Sequence, residues 1–171
     1  GCVGLLLGQG ANVNAATSDG STALMNASSR GHDGCVGLLL GQGADVNAAK
    51  SNDNTALMLA SQGGHDGCVG LLLGQGANVN AANSSGQTAI ILASQGGHSG
   101  CVGLLLEHGA NVNAATSAGR TALVSASVGG HDGCVGLLLE HGANVNAAAS
   151  SSMTALMAAS GGGHDGCVGL L

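Results

Sequence analysis

Several kinds of landmark recur in this chain at one constant step of 33 residues. Cys falls at 2, 35, 68, 101, 134 and 167. Thr22, Thr55, Thr88, Thr121 and Thr154 keep the same step, and so do His32, His65, His98, His131 and His164. The block Gly-Ala-Asn/Asp-Val-Asn-Ala starts at 10, 43, 76, 109 and 142. A unit this short cannot bury an apolar face by itself, so a fixed period of this size demands units stacked on one another. The register defines one domain over 1–171: complete units at 17–49, 50–82, 83–115 and 116–148, with partial units at 1–16 and 149–171. Both ends fall inside a second helix and lack a polar capping unit, so a piece of a longer array is expected.

Inside a unit, Thr22 precedes an apolar stretch and is placed to cap a short first helix over roughly 22–29. Leu24, Ala27 and Ser28 have helical spacing, and Gly31 ends the helix. Asp33 suits the first turn of a second helix, where negative charge complements the dipole. Cys35, Val36, Leu38, Leu39 and Leu40 are expected to line that helix, with Gly43 at its C′ position. The segment 44–54 is polar, with turn chemistry around Asn52-Asp53-Asn54. Each unit is therefore helix, turn, helix and extended hairpin loop.

The core must be built from Leu, Val, Ala, Ile, Met and Cys, because the chain has no Phe, Tyr or Trp. The formal net charge is −6, from nine acidic and three basic residues. Nucleic acid needs clustered Lys and Arg, and single strands usually need aromatic platforms as well. Neither is present, so no nucleic-acid partner is expected. A methyl-lysine cage is excluded for the same lack of aromatics. The Leu runs are cut by Gly and polar residues far short of the roughly 20 apolar residues of a membrane span.

These residues resemble the ankyrin-repeat family. The likeness rests on Gly20-Ser-Thr-Ala-Leu-Met25, Gly31-His32, Val36-Gly-Leu-Leu-Leu40 and Gly43-Ala-Asp-Val-Asn-Ala48, and it covers the whole chain. It implies an all-α class, an α-solenoid of stacked helix-turn-helix units with projecting hairpin loops. The chain departs from the family at three kinds of position. Ala23, Ala56, Ala89, Ala122 and Ala155 stand where the family has Pro at the first helical position. Met25, Met58, Ile91, Val124 and Met157 stand where it has a turn-binding His, so packing must hold that turn. The second helices carry Gly, as at Gly34, Gly37, Gly67 and Gly70, and an interior Gly costs about 0.8–1 kcal/mol relative to Ala. Buried Leu outweighs this, at about 1.5–3 kcal/mol each. The unit 50–82 is expected to be the softest, because Asp53 replaces the turn Gly and Gly63-Gly64 closes its first helix.

Candidate chemistry is sparse. His-x-x-Cys, as in His32 and Cys35, offers two zinc-compatible ligands per unit, short of a tetrahedral set. The Cys sits at an apolar position, and in the family the His supports the inter-helix turn, so a structural role and no metal are expected. One Cys per stacked unit reads as reduced thiols and an intracellular setting, cytoplasmic or nuclear. His108 and His141 follow Glu107 and Glu140 at helix ends, where cationic groups are favoured. Gly-Gln-Gly at 8–10, 41–43 and 74–76 follows a helix and lacks the Lys of a phosphate loop. No Ser, His and Asp stand out from the repeating background, so no catalytic residue, cofactor or small-molecule substrate is expected.

Comparing the units with one another separates framework from variation. The first loop position reads Thr17, Lys50, Asn83, Thr116 and Ala149. Two residues on come Asp19, Asn52, Ser85, Ala118 and Ser151, and then Ser21, Asn54, Gln87, Arg120 and Met153. First helices end in Ser29, Gln62, Gln95, Val128 and Gly161, with Arg30 where the other units have Gly. In the ankyrin architecture these positions fall on hairpin tips and the concave face. The expected function is a non-catalytic scaffold binding a protein partner there, through Thr17, Asp19, Ser21, Ser29, Arg30, Lys50, Asn52, Asn54, Gln62, Asn83, Ser85, Gln87, Gln95, Thr116 and Arg120. The alternatives are a regulatory or targeting segment of a larger enzyme or channel, and a drifting array with no binder.

Overall fold

The computed structural model describes residues 2–171; Gly1, with which the first partial unit opens, lies outside them. An unpaired second helix, α1 (Cys2–Gly8), comes first. Helix pairs follow: α2 (Ala23–Ser28) with α3 (Asp33–Gly41), α4 (Ala56–Gln62) with α5 (Asp66–Gly74), and α6 (Ala89–Gly96) with α7 (Ser99–Glu107). The last two are α8 (Ala122–Gly129) with α9 (Asp132–Glu140) and α10 (Ala155–Gly162) with α11 (Asp165–Leu170). First helices pack on first helices, second on second, and each helix on its own partner. The result is the all-α solenoid of stacked helix pairs.

The first helices start where Thr directs them. Thr22 Oγ1 accepts from Met25 N (3.3 Å), and Thr55, Thr121 and Thr154 do the same for Met58, Val124 and Met157. This satisfies one of the unpaired donors at those four helix starts, whereas Thr88 makes no such bond at α6. Ala at the next position gives up the pre-organisation that Pro would supply. The missing family His is replaced as expected: Met25, Met58, Ile91 and Val124 are all buried. Met157 is the exception, at 59 % exposure in the last pair.

Second helices end in a Schellman arrangement. Gly43 adopts φ +81°, its N–H donates to Leu40 O (3.0 Å), and Ala44 N donates to Leu39 O (3.0 Å). Only Gly takes this left-handed position without strain. The hairpin turn makes a similar demand, met by Gly20, Gly86 and Gly119. Asp53 and Ser152 hold it with φ 63° and 60°. Asp tolerates the region through its local hydrogen bonding. The strained turn of the 50–82 segment thus has a counterpart near the C-terminus, at Ser152.

The core lies between layers. Val36, Leu39, Val69, Leu72, Val102, Leu105, Val135 and Leu138 are buried beside Leu24, Leu57, Ile90 and Leu123. One expectation needs correction. Of the second-helix triplet, Leu38 (49 %) and Leu71 (39 %) are exposed. The three Leu span more than half a helical turn of arc, so the first of them faces away from the neighbouring layers.

A polar ladder ties each layer to the next. Asn47 Nδ2 donates to Gly76 O (3.3 Å), and Asn47 Oδ1 accepts from Asn78 N (2.8 Å). Asn14, Asn80 and Asn113 repeat both bonds to the following layer. A second link joins second helices: Cys68 Sγ donates to Asp33 Oδ1 (2.9 Å), as Cys101 does to Asp66 and Cys167 to Asp132. The glycine beside each of these thiols makes the room. A Cβ on Gly67, Gly100 or Gly166 would strike that carboxylate. At the junction of α7 and α9 Ser99 replaces Asp, and a Cβ on Gly133 would meet only the Ser99 side chain at 3.6 Å or more.

The two glycine columns of the second helices therefore predict opposite responses. Nothing lies within 4 Å of a Cβ on Gly70. Gly70→Ala should raise stability by about 1 kcal/mol. Gly67→Ala should lower it by about 1 kcal/mol, because the Asp33 carboxylate must leave Cys68. Urea titrations followed by far-UV circular dichroism measure both.

Candidate protein-binding face

The His and Cys columns are the groups with the most chemistry to offer, and the fold engages most of them internally. His65 Nε2 donates to Ser29 O (3.3 Å), His98 to Gln62 O (3.1 Å), His131 to Gln95 O (3.2 Å) and His164 to Val128 O (3.2 Å). A carbonyl only accepts, so Nε2 carries the proton. Each ring thereby satisfies an unpaired carbonyl at the end of the preceding first helix. The rings also explain the paired glycines. A Cβ on Gly63 would run into His65, and one on Gly64 into His98. His108 and His141 turn back onto their own helices instead, with Nδ1 2.8 Å from Leu104 O and 2.9 Å from Leu137 O. No group of three or more metal-ligating side chains occurs among the described residues.

Cys68, Cys101, Cys134 and Cys167 are buried free thiols. Burial, then the neighbouring Asp33, pushes the Cys68 thiol up to about 12. Burial and Asp132 do the same for Cys167, also to about 12. Burial alone takes Cys134 to about 11, and burial with Asp66 raises Cys101 as well. A thiol so hard to ionise is a poor nucleophile. The raised values also fix the sign of a pH effect. The unfolded thiol ionises near about 8.5, so the stabilisation is whole below that pH. It is lost as pH rises toward the folded values. Urea midpoints should stay level from about pH 7 to about 8.5 and fall progressively toward pH 10, with buffers of matched ionic strength.

The variable positions lie on the face made by hairpins and first helices. Within each hairpin the first residue pairs with the fifth: Lys50 N donates to Asn54 O, Asn83 N to Gln87 O and Thr116 N to Arg120 O, each 3.0 Å. Antiparallel bridges close the hairpins, as between Ala49 and Thr55 and between Ala115 and Thr121. Neighbouring hairpins are laced by Ser51 N to Asp19 O (2.9 Å), Ser84 N to Asn52 O (3.2 Å) and Ser117 N to Ser85 O (3.0 Å).

The side chains divide into two groups. At the N-terminal hairpins they bond to one another. The Asp19 carboxylate accepts from Thr17 Oγ1 and from Ser21 Oγ (2.9 Å), and Lys50 Nζ lies 3.1 Å from it. These contacts, Thr17 first and Lys50 next, hold the Asp19 carboxyl well below the usual carboxylate range. Asn54 Oδ1 accepts from Asn83 Nδ2 (2.8 Å), and Asn52 Oδ1 from Asn54 N (3.3 Å). Ser29, Arg30 and Gln62 are exposed at or just beyond the ends of α2 and α4.

The second group converges. Ser85 and Gln87 from one hairpin, Ile91 and Gln95 from α6, and Thr116, Ser117, Ala118 and Arg120 from the next hairpin line an open recess of about 310 Å³. Five of the residues expected to contact a partner, Ser85, Gln87, Gln95, Thr116 and Arg120, thus share one recess. Ile91 was assigned to turn packing by its column, and it also lines the recess. Its signal in the sequence was weak: among the residues replacing the family His it is the only Ile.

The family model for ankyrin repeats (3 copies) matches residues 1–83 and 68–149. No curated protein matches the chain.

Proposed function

The chain belongs to the ankyrin-repeat family, and on that premise we propose that it is a scaffold holding a protein partner across its concave face and hairpin tips. The ankyrin-repeat fold mediates protein–protein interaction and is non-catalytic, working by shape and hydrogen-bond complementarity. The observation that carries the reading is the convergence of Ser85, Gln87, Gln95, Thr116 and Arg120 on one recess. Elsewhere the polar groups that repeat in register are spent on the array itself. His rings close helix ends, Asn side chains tie layers and thiols meet carboxylates. What varies is left facing outward, as a recognition surface on a rigid scaffold is.

The working unit in this reading is one domain over 1–171, divided at 17, 50, 83, 116 and 149. It acts inside the cell, where buried thiols stay reduced. Among the described residues no helix is long and apolar enough to cross a membrane. The partner is a protein rather than a nucleic acid, a membrane or a small substrate. With Arg the only usual hot-spot residue type present, and few copies of it, affinity is modest and spread over the face.

The test is selective capture. The immobilised chain is compared with a triple variant, Gln62→Ala, Gln95→Ala and Arg120→Ala, and with a control altered away from that face, Gln42→Ala with Gln75→Ala. Bound proteins should be lost from the first variant and retained by the second. Equal retention by all three would overturn the assignment of the binding face.

A further inference from the structure

Resting on the scaffold reading above, we propose that the recess between the third and fourth hairpins receives an acidic side chain of the partner, on an extended segment with small aliphatic residues beside it. The recess is rich in donors and contains no carboxylate. Its lining holds one charge, the Arg120 guanidinium, with amide, hydroxyl and aliphatic groups around it. Lys50, by contrast, is engaged by Asp19 (3.1 Å). Among the described residues Arg120 makes no ion pair, and its backbone alone is bonded, to Thr116 Oγ1 (3.1 Å) and Thr116 N (3.0 Å).

The neighbouring amides favour an acceptor as well. Gln87 Oε1 is already used, by Asn83 Nδ2 (3.3 Å), which leaves Gln87 Nε2 to donate. Thr116 Oγ1 is occupied as an acceptor by the Arg120 backbone. Gln95 of α6 is exposed and lines the recess, with its backbone carbonyl bound by His131. A guanidinium and amide-bearing side chains lining one recess match a carboxylate better than a neutral acceptor. The protein elsewhere is acidic, with net charge −6, so this cation is a local exception rather than part of a basic surface. Exposed Ala118 supplies the apolar surface, with Ile91 contributing only the little that its 1 % exposure leaves, and a volume of about 310 Å³ accommodates one acidic side chain and a short aliphatic neighbour.

Arg120 also distinguishes this unit from the others. The same position is Ser21, Asn54, Gln87 and Met153 elsewhere. The preference therefore belongs to one place along the array and fixes the register in which a partner lies.

The experiment is an amide NMR titration of the full chain with capped pentapeptides: Ala-Val-Glu-Val-Ala, its Gln counterpart and its phosphoserine counterpart. The Glu peptide should shift the amides of 85–95 and 116–120. It should bind about fivefold more tightly than the Gln peptide, the upper range for an exposed ion pair. Arg120→Gln should remove that preference with an unchanged far-UV spectrum. Equal binding of Glu and Gln peptides, or shifts confined to other regions, would overturn the proposal. So would tighter binding of the phosphoserine peptide, which would assign the recess to a phosphate. If Arg120→Gln leaves capture of a protein partner intact, the acidic-side-chain inference fails and the scaffold reading stands. Loss of all capture in the triple variant alongside equal peptide binding separates them in the same way.

Discussion

Burial between successive layers is the interaction on which everything else in this molecule depends. No helix pair encloses its own apolar surface, and the second helices, nine residues at most, are too short to persist alone. Val69 and Leu72 of α5 reach 0 % exposure because α3 and α7 flank them. Where the described residues provide a neighbouring layer on one side only, apolar side chains of the same columns open. Leu6 of α1 is 62 % exposed and Met157 of α10 is 59 % exposed. The same side chain in the same sequence setting is core or surface according to its neighbours. That is how stability propagates in a one-dimensional array.

Apolar burial sets the layers against each other without fixing their register, and the polar contacts supply it. Asn14, Asn47, Asn80 and Asn113 of the Val-Asn-Ala block each bind both a carbonyl and an amide of the next layer, so a slip along the stack breaks two bonds at each of these junctions. The rings of His65, His98, His131 and His164 and three thiol–carboxylate pairs add further contacts across the layer boundaries. Glycine is what allows these groups to come so close. Its place beside each ring and each carboxylate trades helix propensity for inter-layer hydrogen bonds. The junction at Ser99 shows the alternative: no carboxylate, no thiol bond there, and room beside Gly133. This economy leaves the hairpin face free to carry Gln, Asn, Ser, Thr and Arg, because none of the framework contacts needs their side chains to be constant.

Much of this was legible in the residues. Thr before an apolar stretch, Asp at the start of a second helix and Gly after its end are local signals, and the helices begin and end where those signals stand. The variable positions were legible too, since the units of one chain can be compared with each other. The exposure of Leu38 and Leu71 was not, because three consecutive Leu carry no marker of which one turns outward. The cost attached to every second-helix glycine was legible only in part. Gly70 faces open space, whereas Gly67 gives room to a carboxylate 34 residues earlier in the chain.

The sequence by itself determined the repeat period, the helix boundaries and the stacked architecture, because caps, periodic apolar positions and turn residues act within a few residues of one another. Only the tertiary structure decided which of the varied positions meet. Thr17, Asp19, Ser21 and Lys50 satisfy one another, whereas Gln87, Gln95 and Arg120 come from three successive elements and line one recess. The physical reason is that the recess is made by side chains from adjacent layers. Their separation depends on the spacing and rotation of the stack, which no single unit encodes.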